Sequence, residues 1–266
     1  MNLSIVIATR NRPESLRRLT TALATQRGAP DAECIVVDDG SRAADAVREA
    51  AGGARILRLD PPRGVCVARN AGIAATTGDV LCFFDDDIIP DAGYLARCRQ
   101  VHEEHPEVLV LNGLQRPARS DLYAQYWHYY YAAAFNRADA GPLYPVERIS
   151  PGTLSIKRAL LDRLNPLFDE AVEPREDFDL WLHLRALGIP VYKSDELAAT
   201  HDYRSTLSSF LRARLWYARG EVLLRRKHGA EMIAAEEVRL LPPNRLRFLP
   251  LQLLVRIWLH IHGVRA

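Results

Sequence analysis

Cysteine and methionine are scarce, at 4 and 2 among 266 residues. No cysteine pair has CxxC or other metal-ligand spacing, so a disulfide scaffold and a thiolate zinc site are both excluded. Three of the four thiols sit inside apolar runs and are read as buried and free, which fits a reducing compartment. No uncharged apolar run reaches the ~18 residues of a membrane span. The start, MNLSIVIATRNRPE, has no basic n-region and only a short apolar run, so no signal peptide is expected. Neither GxGxxG nor GxxxxGK[ST] occurs, which disfavours dinucleotide cofactors and P-loop chemistry. Net charge is also small, +2, so no global basic field points to nucleic acid.

What is present is the composition of a globular protein, 48% hydrophobic and 26% charged. The near-neutral total hides a split. Residues 1–200 carry 23 Lys and Arg against 28 Asp and Glu, and residues 201–266 carry 12 against 5. The first stretch is therefore at −5 and the second at +7.

The first half alternates short β-branched runs with helical patterns. Strands are expected at Leu3–Ala8, Cys34–Val37, Arg55–Leu59, Val80–Phe84 and Val108–Leu111. Helices are expected from Pro13, over Ala43–Ala51, over Val65–Thr77 and over Asp91–His105. Further helices are expected over 176–187, 205–228 and 244–262. This rhythm predicts an α/β fold with a mostly parallel sheet flanked by helices. Ligands of such sheets bind outside the carboxyl ends of strands. The polar clusters at 9–12, 38–41 and 85–87 all lie at such ends and should share one rim.

Three adjacent carboxylates, Asp85-Asp86-Asp87, follow the uncharged run Val80–Phe84. Their repulsion calls for a cation or hydrogen-bond donors, and oxygen ligands suit Mg2+ or Mn2+. Asp38-Asp39-Gly40-Ser41 reads as a turn with Ser41 as helix N-cap, and an Asp there can accept from a nucleobase or ribose. Arg63-Gly64 through Arg69-Asn70 opens a helix that favours an anion. Glu176-Asp177 opens another, with Asp177 the better candidate for a base aimed at the cleft. His201 follows an apolar strand and is read as a metal or phosphate contact. Tyr123 to Phe135 is rich in aromatics and reads as a core helix or as a wall for a sugar.

Taken in order, Ser4–Asn11, Val37–Ser41, Gly64–Gly72, Asp85–Asp87, Glu176-Asp177 and His201 resemble the family 2 glycosyltransferases over residues 1–220. The resemblance implies the GT-A fold, a Rossmann-like mixed sheet flanked by helices, with a C-terminal helical extension. It implies a nucleotide-diphosphate sugar donor, with uridine the commonest base, and inversion at the anomeric carbon. The acceptor would be a hydroxyl of a glycan, a lipid-linked molecule or a small molecule. By this likeness Thr9, Arg10, Asn11, Asp39, Arg63, Arg69, Asn70, Asp85, Asp86 and Gly152 hold the donor, with Asp39 on the base. Asp85, Asp87 and His201 hold Mn2+ or Mg2+. Asp177 is the general base, with Glu176 beside it. Ser150-Pro-Gly-Thr153 stands where many members carry Gly-Gly-Asn. Two other readings compete with an active transferase. They are a catalytically idle nucleotide-sugar-binding module of the same fold and a metal-dependent nucleotidyltransferase.

The expected organisation is a catalytic domain at 1–204 and a basic amphipathic extension at 205–266. The catalytic part divides into a nucleotide-binding half, 1–113, and an acceptor half, 114–204. Three placements suit the extension: on the catalytic domain, on an anionic membrane surface, or in a homodimer. The expected location is the cytoplasm, including the cytoplasmic face of the membrane.

Overall fold

The computed structural model describes residues 1–28, 31–135, 141–203, 206–229 and 245–261. Among these residues nine strands form one mixed sheet. The first four are β1 (Leu3–Thr9), β2 (Glu33–Asp39), β3 (Arg55–Leu59) and β4 (Val80–Asp85). They run parallel in the order β3-β2-β1-β4. The sheet continues through β8 (Leu154–Lys157), β6 (Val110–Pro117), β9 (Val191–His201) and β5 (Ile88–Pro90). Strand β8 is antiparallel to β4 and β6, and β6 is parallel to β9. Strand β7 (Tyr144–Val146) pairs with β9.

The helices are α1 (Pro13–Ala24), α2 (Ala44–Ala50), α3 (Val65–Ala74), α4 (Tyr94–Glu104), α5 (Leu122–Phe135), α6 (Glu176–Ala186), α7 (Leu207–His228) and α8 (Arg245–Ile261). Pro13 stands in the first turn of α1, where its missing N–H costs nothing. Helix α3 ends three residues short of Thr77. The Thr76 hydroxyl donates to the Gly72 and Ile73 carbonyls, both at 3.0 Å, and takes up groups the next turn would have used. Ser41 does not cap α2, whose N-cap is Ala43 with no side-chain bond. Instead its Oγ accepts from the Asn11 amide at 2.8 Å and its own N–H donates to Asp38 at 2.9 Å. The hydroxyl is thereby drawn into joining the β1 and β2 loops.

Each face of the sheet carries a core. Val6, Ile35, Val37, Leu81 and Phe83 pack with α3 and α6 on one side. Ile5, Ile7, Val36, Cys82 and Phe84 pack with α1, α2 and α4 on the other. This alternation follows the period-2 reversal of side chains along a strand. Cys66, Cys82 and Cys98 are buried, and all four cysteines are free. Burial pushes the Cys34 thiol up to about 12. Helix α3 lies hard on the sheet at Gly72, where an added Cβ would stand 2.4 Å from Val6 Cγ1 and 3.3 Å from Val37 Cγ2. Gly72→Ala gains helix propensity worth ~1 kcal/mol, but overpacking a strand-backed contact costs ~1–3 kcal/mol. The net expectation is a lower urea midpoint at unchanged m-value.

Helices α5, α7 and α8 share a third core. Tyr126, Trp127, Phe210 and Phe248 are buried there, with the Tyr126 ring at 5.0 Å from Phe210 and 5.5 Å from Phe248. The basic C-terminal helices thus pack on the chain's own α5. Leu253, Leu254 and Ile257 of α8 stay exposed. The aromatic side chains from Tyr129 to Phe135 and the Arg256 of the expected polar stripe lie outside the described side chains. Among the described residues no helix is long and apolar enough to cross a membrane.

Candidate active site

Strand register brings the polar clusters together. Ala8 stands opposite Asp85 and Thr9 opposite Asp38, so the ends of β1, β2 and β4 are level. His201 at the end of β9 pairs with Ile88 of β5, which places it beside Asp87. A cleft of about 340 Å3 opens along this rim. Its lining includes Thr9, Arg10, Asp39, Arg69, the three aspartates, Glu176, Asp177 and His201. Asn11, Arg63, Asn70 and Gly152 lie outside that lining.

The three aspartates have separate environments. Asp86 is buried, and its carboxylate accepts from Thr9 Oγ1 at 2.8 Å and from Arg12 at 2.5 Å. Arg12 also donates to Asp87 at 3.0 Å. Arg69, 4% exposed, donates to Asp85 and to Glu176, both at 2.7 Å. The protein's own guanidinium groups therefore offset much of the repulsion that the sequence assigned to a metal. Burial is the largest influence on Asp86 and pushes its carboxyl up to about 7, against Arg12. At Asp87 burial acts in the same sense, but His201 and Arg12 outweigh it and hold the carboxyl well below the usual range.

Asp87 Oδ1 faces His201 Nε2 at 3.4 Å. Gln115 sets that orientation. Its Nε2 donates to Ser150 Oγ at 2.5 Å and Thr153 Oγ1 at 3.1 Å, which turns its Oε1 to His201 Nδ1 at 2.9 Å. Anchored through Nδ1, the ring directs Nε2 at Asp87, and Nε2 is the nitrogen left to take a metal. One carboxylate oxygen and one imidazole nitrogen on a solvated rim are a donor pair that suits Mn2+. Asp85 is turned to Arg69 by one oxygen, and its other oxygen faces Gly152. A Cβ at Gly152 would stand 3.1 Å from Asp85 Oδ2, so the glycine lets the Ser150–Thr153 turn close on the rim.

Asp39 accepts from the backbone N–H groups of Arg63 at 2.6 Å and Gly64 at 3.0 Å. Its carboxylate braces the entry to α3 and still has lone pairs to offer a ligand. Asn11 and Asn70 act on the scaffold. Asn11 Oδ1 accepts from the Arg42 amide at 2.9 Å, and the Asn70 amide clamps both backbone groups of Phe168, at 2.8 and 3.2 Å. Glu176 is buried on Arg69, and burial raises its carboxyl while Arg69 opposes the shift. Asp177, one residue on, lines the cleft and accepts from the Phe178 amide at 2.8 Å.

Several cleft residues were not singled out for the site from the sequence. Arg12, Gln115 and Glu173 line it, as do Trp216 and Tyr217 of α7, while Trp127, from the aromatic stretch read as core or sugar wall, lines it from α5. Arg12 was legible as part of the loop 9–12, but its pairing with residues some 75 positions away was not. Trp127 and Tyr217 stand with ring centroids 5.5 Å apart and form an aromatic wall.

A family model described as Glycosyl transferase family 2 matches residues 4–164. Pre-mycofactocin glycosyltransferases from two strains of Mycobacterium tuberculosis, CDC 1551 / Oshkosh and ATCC 25618 / H37Rv, are each 27% identical over 242 residues. The match covers 85% of this chain and 48% of each relative, so the chain spans about half the length of the curated relatives it matches. The structure of S. aureus TarS 1-349 in complex with UDP-GlcNAc aligns with a TM-score of 0.59 at 18% identity, covering 84% of this chain and 67% of that one. Mannosyltransferase PcManGT from Pyrobaculum calidifontis, in complex with GDP-Man and Mn2+, aligns with a TM-score of 0.63 at 20% identity, covering 97% and 69%. At those identities the two structures establish the fold, that of GT-A glycosyltransferases. With the family match spanning more than half of its length, the chain belongs to glycosyl transferase family 2.

Proposed function

We propose that the chain is an inverting glycosyltransferase that moves a sugar from a nucleotide-diphosphate sugar to an acceptor hydroxyl. The observation that carries this reading is the meeting of Asp39, the Asp87–His201 pair and Asp177 in one cleft. Its parts match the parts of the reaction. Asp39, anchored on the α3 entry, accepts from the nucleobase or ribose. Asp87 and His201 hold Mn2+ or Mg2+, which when bound offsets charge on the leaving diphosphate. Asp85, fixed by Arg69, borders the sugar subsite with Gly152. Asp177 takes the acceptor hydroxyl proton as its oxygen attacks the anomeric carbon. Trp127, Trp216 and Tyr217 offer flat faces to the acceptor, a glycan, a lipid-linked molecule or a small molecule. Uridine is the first base to test, since TarS is described with UDP-GlcNAc, and guanosine the second, since PcManGT is described with GDP-Man.

Calorimetric titration with UDP and GDP, in Mn2+ and then in EDTA, tests the donor half of this reading. Saturable binding that is lost in EDTA and weakened in Asp87→Asn is expected. Binding of neither nucleotide, or binding indifferent to both changes, counts against it.

A further inference from the structure

Outside the cleft lining lies a second group of titratable side chains with no part in the proposed transfer. Asp179 and His183 stand one turn apart on α6, and His228 is the last residue of α7. One ligand atom from each lies within 4.8 Å of the others, the one such three-residue group of His, Cys, Asp or Glu among the described residues. His228 Nε2 is 2.6 Å from Asp179 Oδ1, and His183 Nδ1 is 3.8 Å from Asp179 Oδ2. Tetrahedral zinc, with bonds near 2.0–2.1 Å, separates its ligand atoms by about 3.3 Å. One observed spacing is shorter and the other longer than that value, each to a different Asp179 oxygen, so a turn of the carboxylate with movement of the imidazoles brings the three donors onto one ion.

The chemistry of the donors is selective. Two imidazoles and one carboxylate suit Zn2+ and its borderline neighbours better than Mg2+. The Asp179 side chain is 2% exposed and that of His228 12%, while His183 at 34% leaves a path for entry and a fourth position for water. Lys227 Nζ lies 2.9 Å from Asp179 Oδ2, 2.8 Å from Asp179 Oδ1 and 2.7 Å from Asp169 Oδ2. A bound ion takes the place of Lys227 on the oxygen shared with His228, and Lys227 keeps the other oxygen and Asp169, the way outer groups orient metal ligands.

We infer that Asp179, His183 and His228 form a transition-metal site, with Zn2+ as the fitting ion, that pins the end of α7 to α6. The site is separate from the Asp87–His201 pair. Its consequence reaches the cleft through two helices. Helix α6 carries Asp177 in its first turn, and α7 carries Trp216 and Tyr217. Helix α7 also lies close against the entry to α6, since a Cβ at Gly220 would fall 2.2 Å from the carbonyl oxygen of Pro174, just before α6 begins. A metal at the other end of α7 fixes the angle between the base and the aromatic wall.

The test is equilibrium dialysis of the chelator-stripped 266-residue chain against Zn2+ alone, with melting temperatures read in parallel. Wild type and His201→Gln are expected to bind one equivalent that His183→Gln binds at least tenfold more weakly. Zn2+ is also expected to raise the melting temperature of wild type by several degrees and that of His183→Gln by much less. His183 is partly exposed, and equal melting in chelator establishes that its variant folds. His228→Gln serves as the second variant. No Zn2+ bound by wild type, or equal binding by wild type and both His variants, overturns the inference and leaves Asp179 as a plain ion-pair partner of Lys227 and His228.

Discussion

Asp177→Asn is expected to lower the rate of sugar transfer by about 10^2–10^4-fold, the range of a positioned general base. Asparagine keeps the shape of the side chain and cannot take a proton. Donor affinity should hardly change, because Asp177 sits at the first turn of α6 while the nucleoside and metal groups sit on β2, on the turn after β4 and on β9. Steady-state kinetics separate the two effects as a fall in kcat at constant donor KM. Equal rates in the two proteins would remove Asp177 from the base role. Glu176, its neighbour, is the natural contrast. Its carboxylate is spent on buried Arg69, so Glu176→Gln should act first on stability.

Arg69→Met carries the largest expected stability effect. Arg69 is buried between Asp85 and Glu176, and its loss strands the Glu176 charge in a site where the side chain is 10% exposed. Breaking such a pair from one side costs ~3–5 kcal/mol. The Asp85 half contributes less, because that side chain is 37% exposed and water screens it. The pH dependence has a definite sign. Burial already raises the Glu176 carboxyl, and Arg69 is the main opposing influence. Without Arg69 the folded-state value climbs further above the unfolded one. The folded state then binds more protons than the unfolded state in the interval between them, so stability falls as pH rises through it. The deficit of Arg69→Met relative to wild type should therefore widen from acid to neutral pH. Denaturant unfolding at several pH values measures this. Adding Glu176→Gln should recover part of the loss, since it removes the stranded charge. A deficit independent of pH, or no recovery in the double variant, would show that Arg69 acts through packing alone.

Much of the rim was legible in the sequence for a physical reason. An uncharged strand that ends in acids, as Val80–Phe84 ends at Asp85-Asp86-Asp87, states both where the sheet is buried and where it meets solvent. The same holds for β2 and Asp38-Asp39. What the sequence did not reveal depends on pairing across long separations. Strands β5, β7 and β8 have only three or four residues each, too few for a periodic signal. The reading of Ser41 as a cap failed because Asn11, 30 positions away, takes its hydroxyl only in the folded chain, while its amide turns to Asp38 three residues back. Gln115 bears no motif. Its part in orienting His201 comes from β6 lying beside β9 and under the Ser150–Thr153 turn. The group at Asp179, His183 and His228 joins an i, i+4 pair on α6 to a residue of α7 at least 45 positions on, a spacing that no short pattern encodes.

The measurement that bears most directly on glycosyl transfer is proton NMR of a nucleotide-sugar donor turned over by the purified chain with Mn2+. The sugar should leave the diphosphate with its first-formed anomer opposite to that of the donor, and the activity should vanish in Asp177→Asn. Release of the same anomer as in the donor would contradict inversion. Release of sugar 1-phosphate, which needs cleavage inside the diphosphate, would assign the cleft to nucleotidyl transfer instead.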